Sequence, residues 1–276
     1  MNSLGQLPDL SSPYPVPEAS VAELREKGHT LLRQVATADE MAAWGPYIRE
    51  VALRNSEEDR PVEQRDTLLR RAFLQIQNLW WADETMRRFT LAERFGRIAA
   101  DLLGVDAVRI YHDQAIFKEP GGALTPWHQD QYYFPLDGDD VITMWMPLTD
   151  VTPEMGSLVY ASGSQRLGYL GEFEASEQSE AVFRKMIAET GMELESPGPM
   201  KAGDATWHTS WTLHGAPANP TDTMRAAMTV IWMADGLRGI EPQHEWHSKD
   251  YEKWMPDVHP GELAAGRLNP LVWRRS

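Results

Sequence analysis

Apolar and polar positions divide the chain into two textures that meet at Gly104. Val21 to Lys27 is a short amphipathic stretch that stops at Gly28, and the apolar run His29 to Val35 predicts a first strand. Thr37-Ala38-Asp39-Glu40 has the form of a capping box, with the Thr37 hydroxyl on the N-cap and Glu40 reaching back, and it predicts a helix toward Arg54. Pro46 is then expected in the first turns of that helix or at a kink. Thr90-Leu91-Ala92-Glu93 repeats the capping pattern and predicts a helix that ends at Gly104. Residues 1–105 therefore read as a mainly helical flank.

Beyond Gly104 the runs shorten and alternate between clusters of Gly, Pro and Asp. Val108–Phe117, Val141–Leu148, Ser157–Ala161, Ala205–Leu213 and Met224–Met233 read as strands, and only Ala181–Glu189 keeps a helical pattern. Helices followed by many short strands predict a mainly β fold with flanking helices, an antiparallel double-sheet jelly roll over residues 106–235. Residues 165–200 interrupt the strands and are expected to form a lid. Residues 236–276, rich in Trp, His and Pro without a clear period, read as a C-terminal extension of a single domain spanning 1–276.

At 276 residues the chain can bury a substantial core. Its 26 Lys and Arg against 41 Asp and Glu, a net charge of −15, repel nucleic acid and anionic membrane surfaces. Arg70-Arg71 and Arg274-Arg275 are too short and scattered to form a basic patch, and the second pair reads as part of a solvated tail. Without cysteine there is no disulfide framework and no thiol chemistry, which fits a reducing cytoplasm. Met1 to Glu18 contains Asp9, four prolines and no apolar run, so it is expected to be an extended arm rather than a signal peptide or membrane anchor. The 11 Trp and 13 Met suit the wall of an apolar pocket, although ordinary packing accounts for most of them.

The chemistry concentrates in His128-Gln129-Asp130. An imidazole and a carboxylate at i and i+2 share one face of a strand, roughly 6–7 Å apart, so both can reach one metal ion. Gly121-Gly122 and Pro126 form a loop before them, which predicts a strand start, and Trp127 with Tyr132-Tyr133-Phe134 supplies an aromatic wall. A second imidazole would complete the ligand set of two His and one carboxylate used by non-haem Fe(II) oxygenases. His208 and His214 compete for that place because their even spacing puts both on one strand face; Gly215 and the spacing to Arg225 favour His214. His208 is then expected to line the pocket, and His112 to be a packed histidine. A turn at Asn219-Pro220-Thr221-Asp222 is expected to return Arg225 on a strand beside His214. There its planar fork could hold a carboxylate, and its neighbours Met224, Ala226, Ala227 and Met228 speak against a surface ion pair.

Taken in order, Asp113-Gln114, Lys118-Glu119-Pro120-Gly121, Trp127-His128-Gln129-Asp130, Trp145, Pro147-Leu148-Thr149-Asp150, Met155-Gly156-Ser157-Leu158, Gly163-Ser164, Gly203-Asp204, His214-Gly215, Asn219 and Arg225 resemble the phytanoyl-CoA dioxygenase-like (PhyH) family of Fe(II)/2-oxoglutarate-dependent oxygenases, which includes ectoine hydroxylase. The resemblance spans residues 113–225 and is loose before them. It implies a double-stranded β-helix, Fe(II) on His128, Asp130 and His214, and 2-oxoglutarate as co-substrate with Arg225 on its far carboxylate. Gln114 and Lys118 are implied near the co-substrate, with Phe134 or Trp145 packed beside it. Many relatives carry a hydroxyl residue two positions after the distal His, where this chain has Ala216; Thr143 or Lys118 is the expected compensation. Gln165-Arg166, where the family often has His or Lys, reads as a surface difference.

The implied reaction hydroxylates an unactivated C–H bond of a small organic metabolite, using O2 and converting 2-oxoglutarate to succinate and CO2. Related halogenases have Gly or Ala in place of the carboxylate, so Asp130 argues for hydroxylation, while desaturation, epoxidation and ring closure use the same ligands. A cupin-like metal-dependent isomerase or hydrolase, and a non-catalytic small-molecule-binding protein, are the alternatives; neither needs Arg225 where it is. A chain of net charge −15 is a poor partner for the polyanion of an acyl-CoA. Trp80-Trp81, Tyr132, Tyr133, Trp207 and Trp211 are candidate pocket aromatics, each more readily explained as core.

Overall fold

The computed structural model describes residues 7–276. Its helices are α1 (Glu18–Lys27), α2 (Ala38–Arg54), α3 (Leu68–Ala72), α4 (Leu79–Ala82), α5 (Glu84–Thr90), α6 (Glu93–Leu103), α7 (Glu177–Thr190) and α8 (Glu245–Trp254). Its strands are β1 (His29–Leu32), β2 (Leu74–Gln77), β3 (Ala107–Lys118), β4 (Thr125–His128), β5 (Val141–Pro147), β6 (Val159–Ala161), β7 (Leu194–Glu195), β8 (Ala205–Thr209), β9 (His214–Ala216), β10 (Arg225–Ala234) and β11 (Leu271–Arg274).

Two antiparallel sheets face each other as a jelly roll. The larger runs β1-β8-β5-β10-β3-β11, with β2 also on β3, and the smaller runs β4-β9-β6-β7. Alternation along the larger sheet separates its two faces. Phe117, Met144, Met146, Trp207, Met228, Val230 and Trp232 form one core with Trp44 and Ile48 of α2 and Phe95 and Ile98 of α6. The opposite face carries Gln114, Thr143, His208, Arg225 and Thr229 toward a cavity between the sheets. So polar a row on an inner face is costly unless it is hydrogen-bonded or serves a ligand.

Local signals hold where no tertiary partner competes. α1 stops at Gly28 with φ 83, and the Thr37/Glu40 capping box opens α2 as expected. Pro46 neither sits in the first turns nor ends α2; it lies inside the helix on the exposed face, as does Ala42, whose carbonyl a proline four residues on cannot pair. The second predicted capping box does not form. Thr90 ends α5, its hydroxyl donates to the buried Asp113 carboxylate at 2.7 Å, and α6 begins at Glu93 after Ala92, which gives no side-chain cap. A buried, otherwise underpartnered carboxylate outcompetes an exposed backbone amide for that hydroxyl.

The ends of the chain are more ordered than the pattern suggests. The first six residues of the predicted arm lie outside the described residues. From Leu7 the arm has neither helix nor strand before α1 and is docked: Leu7 and Leu10 join the core, and the Trp44 indole N–H donates to the Pro8 carbonyl at 3.0 Å. In the extension, α8 caps the cavity and β11 adds an edge strand beside β3. Arg274 and Arg275 pair with Asp235 and Asp101, so they do not form a solvated tail. The segment 165–200 contains α7, whose Phe183 and Ile187 pack on Trp127 and Leu213, and only Glu174 and Ala175 of it line the cavity. No helix among the described residues is long and apolar enough to cross a membrane.

Candidate active site

His128 is the last residue of β4, and Asp130 opens a single 3-10 turn, Asp130–Tyr133. The pair thus lies at a strand end rather than a strand start, and not on one strand face. β4 is an edge strand that pairs early with β9, through Thr125↔Ala216 and His128↔His214, with an irregularity at Pro126 between them. An edge tolerates a proline, which has no N–H to give to a ladder. Past His128 the chain leaves the sheet, held by the Gln129 amide, which donates to the Gly168 and Trp211 carbonyls at 2.9 and 2.7 Å. That turn, rather than strand periodicity, carries the Asp130 carboxylate back over the imidazoles.

The three groups converge. Asp130 Oδ1 is 3.7 Å from His128 Nε2 and 3.8 Å from His214 Nε2, and one ligand atom from each residue lies within 4.8 Å of the others. His128 Nδ1 faces the Pro126 carbonyl at 2.8 Å and His214 Nδ1 the Thr212 carbonyl at 2.9 Å. A backbone carbonyl only accepts, so each Nδ1 carries the hydrogen and each Nε2 presents a lone pair to the shared point. Burial lowers both imidazoles to about 4, which keeps them neutral at physiological pH. For Asp130, burial acts upward, but coupling to His214, the His208 hydrogen bond and coupling to His128 prevail and hold the carboxyl below the ordinary range, so a proton entering the cluster goes to an imidazole before the carboxylate. Two neutral imidazoles and one ionised carboxylate, each already oriented, fit a divalent iron.

Arg225 faces this cluster from the other sheet. The turn after His214 does not return it beside that residue; it crosses to β10 and pairs directly with Lys118 of β3. The two basic side chains are neighbours, and no carboxylate pairs with either among the described residues. Arg225 Nη1 donates to the Gly156 carbonyl at 2.6 Å, its Nε lacks a partner among the described residues, and its guanidinium lies 5.2 Å from the Trp145 ring centroid. Lys118 Nζ donates to the Ala123 carbonyl at 2.6 Å and to Thr125 Oγ1 at 3.2 Å. Burial lowers Arg225 to about 9; burial and the Arg225 charge lower Lys118 to about 6. Charging both side by side in a dry site is unfavourable until an anion joins them. Gly156 makes the arrangement possible: at φ +76, a Cβ there would come within 2.7 Å of Lys118 Cδ and the Pro217 carbonyl oxygen.

A cavity of about 650 Å³ connects both ends. Gln114, Thr143, Trp145 and Arg225 line it, as does Phe134; Lys118 stands behind Thr125, which does line it. The Thr143 hydroxyl donates to Asp130 Oδ2 at 2.9 Å. Thr125 is the hydroxyl that faces the Arg225 end, and it sits directly across the strand pair from Ala216. Of the candidate aromatics only Tyr133 lines the cavity; Trp80 and Trp207 belong to the helix-side core and Trp81 is exposed. His112 also lines it, stacked 4.2 Å from Trp254.

Several cavity residues escaped the sequence reading. Gln75 and Gln77 of β2 could have been found from the alternation Leu74-Gln75-Ile76-Gln77. Trp246, Lys249, Lys253 and Trp254 lie at i, i+3, i+7 and i+8 of α8, a helical face that the surrounding prolines and histidines obscure.

Residues 24–227 match the family described as Phytanoyl-CoA dioxygenase (PhyH). Among curated proteins, the chain is 23% identical over 224 residues to a probable alpha-ketoglutarate-dependent hypophosphite dioxygenase of Stutzerimonas stutzeri, covering 77% of each chain. It is 26% identical over 189 residues to the 2-aminoethylphosphonate dioxygenase of the uncultured bacterium HF130_AEPn_1, covering 68% of each. Among solved structures it shares the fold of the non-heme alpha ketoglutarate dependent carbocyclase SnoK from nogalamycin biosynthesis, with a TM-score of 0.76 at 24% identity over 95% of this chain and 100% of that one.

Proposed function

The chain belongs to the phytanoyl-CoA dioxygenase (PhyH) family, and from that premise we propose that His128, Asp130 and His214 hold Fe(II), that Arg225 anchors 2-oxoglutarate, and that the enzyme hydroxylates an unactivated C–H bond of a small organic metabolite. The activity class, an iron- and 2-oxoglutarate-dependent dioxygenase, follows from the family and its curated relatives. One observation carries the assignment of residues: two oriented Nε2 lone pairs and a carboxylate oxygen meet at one end of a cavity whose other wall carries a buried guanidinium with no anionic partner among the described residues.

With Fe(II) held by His128, Asp130 and His214, the metal and 2-oxoglutarate would supply dioxygen activation, O2 and the co-substrate giving succinate and CO2 as a substrate C–H bond becomes C–OH. The protein does the rest. Arg225 binds the far carboxylate of the co-substrate, and the Thr125 hydroxyl adds a hydrogen bond where Ala216 offers none. Lys118 lies behind Thr125 and compensates through it. Trp145 packs against the guanidinium and fixes its plane. Gln114, whose side-chain oxygen accepts from the Gln75 amide at 2.6 Å, closes the cavity floor beside the co-substrate. The apolar walls exclude water, which strengthens each of these charge interactions.

The outer chamber supports a ring-bearing substrate with polar substituents. Phe73, Tyr133, Trp246 and Trp254 offer flat apolar surfaces, with the amides of Gln75 and Gln77 between them. Lys249 and Lys253 are the basic groups at this end, each already lying over a tryptophan ring, at 3.9 and 4.8 Å. That is too sparse a basic surface for an acyl-CoA polyanion. A cytoplasmic location is consistent with a chain that has no cysteine and needs no oxidising compartment to fold.

The test is aerobic turnover with Fe(II), 2-oxoglutarate and panels of aromatic metabolites, phosphonates and acyl-CoAs, read as succinate formed. Ring-bearing compounds are expected to stimulate it most, and His128→Ala, Asp130→Ala and His214→Ala to abolish it. Full turnover in any of the three variants would refute the ligand assignment, and stimulation by acyl-CoA alone would refute the substrate class.

A further inference from the structure

We infer that His208 is a positioning residue which, together with Thr143, fixes Asp130 as a single-oxygen ligand; the inference rests on the iron-site reading above. Asp130 has two carboxylate oxygens in different surroundings. Oδ1 faces the Nε2 atoms of His128 and His214. Oδ2 is turned the other way, 2.9 Å from Thr143 Oγ1 and 3.3 Å from His208 Nε2.

The two donors form one rigid unit. Thr143 of β5 and His208 of β8 are direct cross-strand partners, so their side chains stand side by side on the same inner face. Both strands lie inside the larger sheet, flanked on either side by other strands, and His208 is 2% exposed. The far side of the His208 ring is also held: its Nδ1 is 3.5 Å from the Tyr160 hydroxyl, which is 2.9 Å from Thr206 Oγ1. Tyr160 belongs to the smaller sheet and is paired in register with His214. One chain of polar contacts therefore runs from Thr206 through Tyr160 and His208 to Asp130 and spans the two sheets at the metal end.

The chemical consequence concerns coordination number. A carboxylate whose second oxygen is doubly hydrogen-bonded offers only the first to a metal. Had both oxygens bound, or had the His208 imidazole joined the ligands, the protein would occupy a position required by a bidentate 2-oxo acid or by dioxygen. Directing His208 Nε2–H at Oδ2 prevents both. It also explains why a third histidine, its ring centroid 4.2 Å from that of His214, is absent from the converging set.

The experiment compares the unaltered protein with His208→Phe, His208→Gln and Thr143→Val, each checked for an unchanged fold by circular dichroism and thermal melting. Anaerobic titration with Co(II) gives the affinity, and the visible Co(II) absorption reports coordination. Loss of an outer hydrogen-bond partner weakens metal binding by about 10–100-fold. His208→Phe is expected to show that loss together with a changed Co(II) spectrum. His208→Gln, which keeps an N–H near the Nε2 position, is expected to recover most of the affinity and the original spectrum, and Thr143→Val to lose affinity in the same direction as His208→Phe. Equal affinities and spectra in all four proteins would overturn the inference alone. So would impairment of His208→Gln equal to that of His208→Phe, because a direct ligand rather than a hydrogen-bond donor would then have been removed. An unaltered protein that binds no metal would overturn the iron-site reading itself.

Discussion

Replacing Thr125 by Val tests how the co-substrate end works without a hydroxyl at position 216. The change removes one oxygen and keeps the side-chain shape. In the structure that oxygen accepts from Lys118 Nζ at 3.2 Å and faces the cavity beside Arg225. A hydrogen bond to a charged group contributes about 1.5–3 kcal/mol net, so the dissociation constant for 2-oxoglutarate should rise roughly 10- to 150-fold. The register supplies a rescue. Thr125 and Ala216 are direct partners across β4 and β9, with Cβ atoms of such pairs about 4.5–5.5 Å apart, so adding Ala216→Ser to the Thr125→Val variant should return most of the lost affinity. Anaerobic calorimetry of 2-oxoglutarate binding to the Mn(II)-loaded protein measures all four members of the cycle. An unchanged dissociation constant in Thr125→Val would refute the placement of the hydroxyl, and a double variant no better than Thr125→Val would refute the cross-strand substitution.

Three further predictions address charge and backbone. Lys118 is lowered to about 6 in the folded protein from an ordinary value near 10.5, so between these limits the unfolded chain holds a proton that the folded one lacks. Stability should therefore rise with pH across that window by at most about 1.4 kcal/mol per unit, and Lys118→Met should remove the slope in denaturant titrations. Because a bound carboxylate favours the charged amine, 2-oxoglutarate binding at pH 8 should take up a proton and weaken as pH rises; calorimetry in buffers of different ionisation enthalpy checks this, and no proton uptake would contradict it. Gly203, at φ +87, sits where a Cβ would come within 2.1 Å of the Ala36 carbonyl oxygen. Gly203→Ala should cost about 2 kcal/mol or more, a fall in Tm of roughly 4–8 °C, and an unchanged melt would refute the close approach.

The Gly203 case shows why some of the ordered motifs were legible without their purpose being so. Asp204, its neighbour, accepts from the Gln34 and Lys201 backbone amides and pairs with Arg33, so Gly203-Asp204 joins β1 to β8 rather than serving the chemistry. Asp113 likewise takes the Thr90 hydroxyl and the Trp80 amide, and the Asn219 side chain donates to the Lys118, Glu119 and Thr223 carbonyls. Only Gln114, from the same Asp-Gln pair, reaches the cavity. A motif reports that a position is constrained; burial and partners report by what.

By itself the sequence determined what depends on neighbours along the chain: the Thr37/Glu40 cap, the stop at Gly28 and at Gly104, the alternation of β3, β5, β8 and β10, and the ligand types His, Asp and His. Those signals arise from energies exchanged within a few residues, and the alphabet spells them locally. Tertiary structure decided what depends on which strands meet. Alternation gives a strand two faces but does not say that the polar one is turned inward against the cavity. Register between β4 and β9 set His128 opposite His214 and Thr125 opposite Ala216, and a turn rather than a strand brought in Asp130. The crossing to β10 put Arg225 beside Lys118 on the opposing sheet, and the docking of α8 supplied a wall that no local period announced. Pairing of this kind sums weak contacts between segments far apart in the chain, so only the folded structure fixes its outcome.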